Sequence, residues 1–278
     1  MREHVPKSCK LIGDFMNTKL TVLISSCDKF SDLWDAHIKL YRKNWQLSEC
    51  KTLLVTDKPT SRTFDGIDIV VAKENMDFPM RIQYALTYVT TPYVLVTLDD
   101  YFLISTAERE KITALVSYAE RDKIDYLMLY DRRKNNPKKY APVEKLYDID
   151  CEKKYAVTLY PAIWSVSFLE KTAKENVSPW LYEPSLSETA RELDAVCKFS
   201  HAGSFEILDV IRKGKVLHKA KKYFKKHGID IGDRPVISRW TELKLGVMDF
   251  ISWHTPKFMF RFIKRTAKKL GMKFYSDD

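Results

Sequence analysis

Four aspartates stand directly after apolar runs, where carboxylates can handle phosphate or metal. Asp99 and Asp100 follow Tyr93-Val94-Leu95-Val96-Thr97-Leu98. Asp28 comes just after Leu20-Thr21-Val22-Leu23-Ile24-Ser25-Ser26, and Asp57 closes Lys51-Thr52-Leu53-Leu54-Val55-Thr56. A single acid at a strand end is commonly a cap or a turn former. Two adjacent carboxylates are harder to place, because desolvation and mutual repulsion disfavour them unless a cation or hydrogen-bond donors sit nearby. Such a pair suits a hard divalent cation, Mg or Mn, held through oxygen. The cation would bridge a diphosphate and stabilise the charge that grows on it as a bond to it breaks. The same acids would also serve a nuclease or a phosphatase, or stand as a helix cap beside a surface acid.

The elements that must position these acids alternate along the chain. The runs 20–26, 51–57, 67–72 and 93–98 are apolar and rich in β-branched residues, as buried parallel strands are. Between them lie two helical patterns. One covers 33–45 (Leu33, Trp34, Ala36, Ile38, Tyr41, Trp45), with Ser31 as a candidate N-cap; the other covers 79–89, opened by Pro79 and ended by Thr91-Pro92. A helix over 106–121, a strand over 125–130, a polar loop over 131–139, a short strand over 157–160, a helix over 165–174, a turn over 179–184 and a helix over 186–199 follow. Strand–helix alternation with short connections implies an α/β fold, a mostly parallel sheet covered on both faces. In such sheets ligands bind outside the carboxyl ends of the strands, where the four acids sit. Residues 1–235 read as one domain and 236–278 as a C-terminal helical extension.

The charge narrows the function classes. The chain has 278 residues, 47 Lys+Arg against 37 Asp+Glu and a formal charge of +10. Eight basic residues and no acid lie between Ile211 and Ile229, and seven with no acid between Ile251 and Ser276. Setting those fifteen aside leaves 32 basic against 37 acidic residues, a net of −5. A mildly acidic body with two late basic stretches is a poor nucleic-acid coat. Cys9, Cys27, Cys50, Cys151 and Cys197 are odd in number and scattered, without a CxxC pair, which fits a reducing compartment. Residues 1–17 mix charged and apolar types, and no run of about 18 apolar residues occurs, so neither a signal peptide nor a membrane span is expected. The expected location is cytoplasmic.

The order of these pieces resembles the GT-A-fold glycosyltransferases, most of all the bacterial type that builds cell-surface polysaccharide. In that family a helix with a lone Arg, here Arg81, precedes an apolar strand ending in an Asp-Asp-Tyr-Phe version of the acidic motif, here Asp99-Asp100-Tyr101-Phe102. The segment 161–169 is similar to the acceptor-side segment, and Ser178-Pro179-Trp180-Leu181-Tyr182-Glu183 resembles the Pro-Trp-x-x-Glu element. Residues 210–215 and 226–229 resemble the segment that closes the domain. The strict motif is Asp-x-Asp, and this chain departs from it with Thr97 two before Asp99. Some enzymes of this fold neutralise the diphosphate with basic side chains, and Arg132, Arg133, Arg212 and Lys213 are candidates.

The resemblance implies a role for each matched residue. Asp28 and Asp57 border the base and ribose of a nucleotide-sugar donor, with main-chain groups of Ser25 and Ser26. Arg81 contacts the nucleotide or diphosphate, or braces the acidic loop. Asp99 faces the ribose and a divalent cation (Mn or Mg), and Asp100 the cation and the diphosphate. Glu183 is the general base that takes the acceptor proton, with Glu188, Glu192 and Asp194 as substitutes. One carboxylate opposite the leaving group is what single-step inversion needs. Trp164 and Trp180 offer faces for sugars, and His201, His218 or His254 a late metal ligand. The rival enzyme, a sugar-phosphate nucleotidyltransferase, would normally carry a Gly-rich phosphate loop after its first strand, and residues 25–28 contain no Gly. A nucleic-acid-binding protein and a non-catalytic glycan binder are the rivals from other classes.

The tail adds a partner. Thr255-Pro256 reads as N-cap and N1 of a helix. Phe258, Met259, Phe262, Ile263, Thr266, Ala267 and Leu270 fall on one face, with lysines and arginines around it. A basic amphipathic helix over 255–273 reads as lying in an anionic membrane surface. The expected partners are therefore a nucleotide sugar, a glycan or lipid-linked glycan acceptor and the cytoplasmic face of a membrane, with no nucleic acid. A homo-oligomer is compatible with the pattern.

Overall fold

The computed structural model describes residues 16–130, 140–173, 177–243 and 247. Arg132, Arg133, His254 and the helix expected over 255–273 lie outside the described residues. The described chain divides into two units, one of Met1–Val210 with Ile229–Gly232, the other of Ile211–Gly228 with Asp233–Asp278.

The first unit is built on an eight-stranded sheet. Its strands are β1 (Leu20–Ser25), β2 (Thr52–Thr56), β3 (Asp68–Val71), β4 (Tyr93–Leu98), β6 (Tyr126–Met128), β7 (Leu146–Asp148), β8 (Ala162–Ser165) and β9 (Cys197–Ser200), in the order β3-β2-β1-β4-β8-β6-β9-β7. A separate two-stranded ribbon pairs β5 (Tyr101–Leu103) with β10 (Ile207–Asp209). β3, β2, β1 and β4 run parallel, β8 is reversed between β4 and β6, and β7 is reversed at the edge. This is the mixed α/β, mostly parallel sheet that the sequence pattern implies.

Both faces of the sheet are covered, which explains the continuous apolar runs. On one face Leu20, Val22 and Ile24 of β1 pack with Trp34, Ile38 and Tyr41 of α1 (Trp34–Asn44) and Ile112, Leu115 and Val116 of α3 (Arg109–Arg121). On the other, Leu23, Leu53, Val94 and Val96 pack with Ile82 and Leu86 of α2 (Phe78–Leu86), Phe168 of α4 (Val166–Thr172) and Leu186 of α5 (Pro179–Glu192). Alternate residues of one strand thus go to opposite layers. Each such fully buried large side chain stabilises the fold by roughly 1.5–3 kcal/mol.

Four local expectations are corrected. The helix expected over 186–199 ends at Glu192, and Cys197–Ser200 form β9 instead. Residues 157–160 form no strand. The Val157 N–H donates to Ser187 Oγ at 3.1 Å, Thr158 N–H to the Tyr126 hydroxyl at 3.4 Å and Leu159 N–H to Glu183 Oε1 at 3.1 Å. Donors given to side chains cannot join a ladder, and the strand forms five residues later, from Ala162. The expected turn at 179–184 is the start of α5, with Pro179 at the first helical turn, where a missing N–H costs nothing, and Pro184 inside the helix. Ser31 caps no α-helix; it lies in a 3-10 turn over Asp28–Leu33 that leads into α1.

The second unit carries β11 (Ile211–Arg212) paired with β12 (Lys215–Val216), then α6 (His218–His227), which ends on Gly228 at φ 60°. That left-handed stop suits glycine. No helix among the described residues is long and apolar enough to cross a membrane.

Candidate active site

The carboxyl ends of three neighbouring strands, β2, β1 and β4, meet on one edge of the sheet. Ser26 extends β1 with its N–H on the Val55 carbonyl at 2.9 Å, and Asp99 extends β4 with its N–H on the Ser25 carbonyl at 3.2 Å. The main chains of Ser25, Ser26 and Asp99 are therefore locked side by side. The Ser26 hydroxyl donates to Asp99 Oδ2 and accepts Trp34 Nε1–H at 2.7 Å. Asp99 is only 6% exposed, so this hydrogen bond holds a carboxylate that burial alone would disfavour. Asp57 Oδ1 accepts the Asp28 N–H at 2.6 Å, tying the end of β2 to the turn after β1. The Asp28 carboxylate itself points outward, to Lys58 Nζ at 3.2 Å.

Arg81 stands near this edge, close enough for its charge to act on Cys27. Its Nη1 donates to the Met76 carbonyl at 3.1 Å, and its Nε is buried without a hydrogen-bond partner. The Cys27 thiol reports the shared neighbourhood. Burial first, then the charges of Asp99 and Asp57, push it up to about 11 against the opposing charge of Arg81. Ser25, Ser26, Asp28, Asp57, Arg81 and Asp99 are thus brought together around one strand-end edge.

Asp100 opens a second cluster. Its carbonyl accepts the Val210 N–H at 3.0 Å, and the β5–β10 ribbon that follows sets Tyr101 opposite Asp209. The Tyr101 ring stacks on Tyr160, centroids 5.3 Å apart at 12°, and Tyr130 packs on Tyr160 at a tilt of 33°. The Tyr101 phenol is held well above its usual 10, by burial and then by Tyr160, Asp100, Asp209 and Glu183. Glu183 therefore shares a neighbourhood with Asp100. Its backbone sits in the second turn of α5, and Leu159 N–H fixes its carboxylate. Of the substitutes, Glu188, Glu192 and Asp194 are exposed.

His37 supports this loop from below. It is 2% exposed, Nε2 donates to the Tyr101 carbonyl at 3.3 Å, and its ring meets Phe102 edge-on. Burial lowers it to about 4, so the imidazole is neutral at ordinary pH. Asn44 Nδ2 holds the Leu103 carbonyl at 2.8 Å. Trp164 is 1% exposed and belongs to the core, while Trp180 is 68% exposed. His201 packs against Tyr147 and Phe199, and His218 lies in the second unit.

Asp99 and Asp100 offer carboxylate oxygens, which suit a hard cation, with the Cys27 thiol in the neighbourhood of Asp99. Among the described residues no three His, Cys, Asp or Glu side chains come together to hold a metal. Magnesium-type ions commonly take one or two carboxylates and complete their shell with substrate phosphate and water. The residues present fit that mode, in which the diphosphate brings most ligands. Thr97, at the position where the strict motif has its first acid, is buried at 1% exposure inside β4.

A scan of the sequence against protein families finds no matching model, and a search among curated proteins finds no matching sequence. Solved structures of similar chain path exist. The mannosyltransferase PcManGT of Pyrobaculum calidifontis, in complex with GDP-Man and Mn2+, has a TM-score of 0.49 at 12% identity, over 93% of this chain and 82% of that one. S. aureus TarS in complex with UDP-GlcNAc has 0.47 at 12% identity, over 71% and 60%. The bifunctional IspDF of Campylobacter jejuni has 0.42 at 12%, over 69% and 52%. This chain spans between 36% and 60% of the TarS chains it matches. At these scores the likeness concerns the path of the chain, and the function must be read from the side chains.

Tyr101, Tyr160, Asp209 and His37 are the residues that sequence reading missed as site members. Tyr101 had a signal, since it follows Asp100 directly. Asp209 had none, because its pairing with Tyr101 spans more than a hundred residues of chain.

Proposed function

We propose that the protein is a GT-A-fold glycosyltransferase. It moves a sugar from a nucleotide-diphosphate sugar to a hydroxyl of a growing, lipid-linked glycan in bacterial surface-polysaccharide synthesis, with inversion. What supports the reading is one juxtaposition. The locked ends of β1, β2 and β4 offer Ser25, Ser26, Asp28, Asp57 and Asp99 to a nucleotide, and Asp100 then leads through Tyr101 to Glu183.

Each group has a task in that reaction. Main-chain groups of Ser25 and Ser26, with Asp28 and Asp57, bind base and ribose. Asp99, anchored by Ser26, faces the ribose and cation, and Asp100 the cation and diphosphate. Arg81 braces the acidic loop or meets the diphosphate. Bound there, Mn or Mg would neutralise charge on the departing diphosphate. Glu183 accepts the proton of the acceptor hydroxyl as its oxygen bonds to the anomeric carbon. The bond from that carbon to the diphosphate oxygen breaks, and its electron pair leaves with the diphosphate. We assign this activity to residues 1–235 and membrane contact at the cytoplasmic face to the extension 236–278.

The test is release of nucleoside diphosphate from a panel of nucleotide sugars, with Mn or Mg present. Wild-type protein should turn over at least one donor, and Asp100→Ala should not. Turnover of none by well-folded protein, or equal turnover by the variant, would sink the reading.

A further inference from the structure

One face of α1 is buried and lined with hydrogen-bonding side chains. Trp34, His37, Tyr41 and Asn44 recur at i, i+3, i+7 and i+10, and none is more than 7% exposed. A helix that packs on a sheet needs only apolar surface there, and Ile38 with the Trp34 and Tyr41 rings supplies it. The polar groups of the row are each engaged as well. Trp34 Nε1–H donates to Ser26 Oγ at 2.7 Å, His37 Nε2 to the Tyr101 carbonyl at 3.3 Å and Asn44 Nδ2 to the Leu103 carbonyl at 2.8 Å. The Tyr41 hydroxyl pairs with Thr52 Oγ1 at 3.0 Å.

The first turn of this row reaches both members of the acid pair. A hydroxyl carries one hydrogen. With the Trp34 indole on a lone pair of Ser26 Oγ, that hydrogen is left for Asp99 Oδ2. Trp34 therefore acts on Asp99 through Ser26. His37, one turn further on, holds the carbonyl of the residue that follows Asp100.

The topology explains why that carbonyl needs an outside donor. Past Asp99 the chain leaves the main sheet, and β5 pairs with β10 alone. In an antiparallel pair only alternate residues bond across. Asp100 and Ile104 do so here, with Val210 and Glu206, both at 3.0 Å. The Tyr101 and Leu103 carbonyls turn away from β10, and they are the two that α1 takes. Tyr41 continues the row but ends on Thr52, at the opposite end of β2 from Asp57.

We propose that Trp34 and His37 are positioning residues, which set the spacing at which the Asp99 and Asp100 carboxylates meet a divalent cation and its diphosphate. The inference rests on the assignment of those two acids to the cation and diphosphate. Neither side chain touches the ligand: Trp34 works through Ser26, and His37 through the main chain. Partners behind a ligating group commonly change metal affinity about 10- to 100-fold.

Mn uptake by the full-length protein is read from the paramagnetic resonance of the ion, with UDP, GDP, ADP, CDP or dTDP present, and the melting temperature is read beside it. Wild type should take up Mn with at least one of these nucleotides. Trp34→Phe and His37→Leu should each weaken that uptake about tenfold or more, while binding of the same nucleotide without Mn stays as in wild type. His37→Gln, which offers an amide N–H in place of Nε2–H, should restore uptake. Tyr41→Phe is the matched control, since it also loses a buried hydrogen bond on this row. It should lower the melting temperature as Trp34→Phe does, yet take up Mn as wild type does. A merely structural role would make those two variants alike. The inference alone is overturned if wild type takes up Mn with a nucleotide and either Trp34→Phe or His37→Leu does so equally. It is also overturned if His37→Gln stays as weak as His37→Leu, or if Tyr41→Phe loses as much Mn as Trp34→Phe. Where His37→Leu does not fold, the pair Trp34→Phe and Tyr41→Phe decides. Failure of wild type to take up Mn with any of the nucleotides overturns the assignment of the acids, and the inference with it.

Discussion

The acids of the first unit and the cations of the second are held in opposite ways. Asp99 is buried on Ser26, Asp57 takes the Asp28 N–H, and Glu183 takes the Leu159 N–H. Their geometry is fixed before any ligand arrives, as electrostatic catalysis requires. The lysines of α6 stand exposed, with no described carboxylate to orient them. Such charges attract from a distance, adapt to any anionic surface and are screened by salt. Fixed carboxylates suit bond breaking, and loose cations suit adhesion.

That contrast can be broken or sharpened by mutation. The largest effect belongs to Asp100→Ala, which should lower donor turnover on the order of a thousandfold, measured as nucleoside diphosphate released. Glu183→Gln keeps the shape and removes the proposed base. Turnover should fall at least about a hundredfold and lose the acidic limb of its pH profile. Ser26→Ala strips a partner from both Asp99 and the Trp34 indole. It should cost roughly 2–3 kcal/mol in a urea melt, since a charged, buried hydrogen bond is lost.

A smaller effect tests the support beneath the acidic loop. Burial holds His37 at about 4, down from 6.5. As pH falls through 6.5, the unfolded chain takes up a proton that the folded chain refuses, so stability is present above that pH and drains away toward pH 4. Between pH 7 and 5 the loss should be about 2 kcal/mol. His37→Gln should remove that part of the slope in matched urea melts. Smallest of all, Lys221→Gln should leave stability within about 0.5 kcal/mol, as exposed positions do. A large destabilisation there would mean the lysine is fixed, and the contrast would fail.

The same contrast governs what could be read in advance. β1, β2 and β4 were legible because both faces of each strand are buried, so their apolar runs are unbroken. The position of the acids at their ends was legible with them, since each Asp directly follows or closes an apolar run; their role was not, because a lone strand-end Asp is also a common cap or turn former. Residues 157–160 misled because local apolarity says nothing of where backbone donors go; Glu183, Ser187 and Tyr126 claim them from afar. α5 was hidden by Pro179 and Pro184, which mark turns locally but are accommodated in the opening turns of a helix. Asp209 and His37 reach the site only through tertiary contacts, the β5–β10 register and the Tyr101 carbonyl.

The central claim is that the ends of β1, β2 and β4 bind a nucleoside diphosphate. Calorimetric titration of the full chain with UDP, GDP, ADP, CDP and dTDP, with and without Mn, tests it most directly. At least one should bind saturably, more tightly with Mn, and about tenfold or more weakly to Asp57→Ala, which loses the carboxylate that orders the Asp28 turn. Binding of none, or equal binding to wild type and variant, would contradict the account.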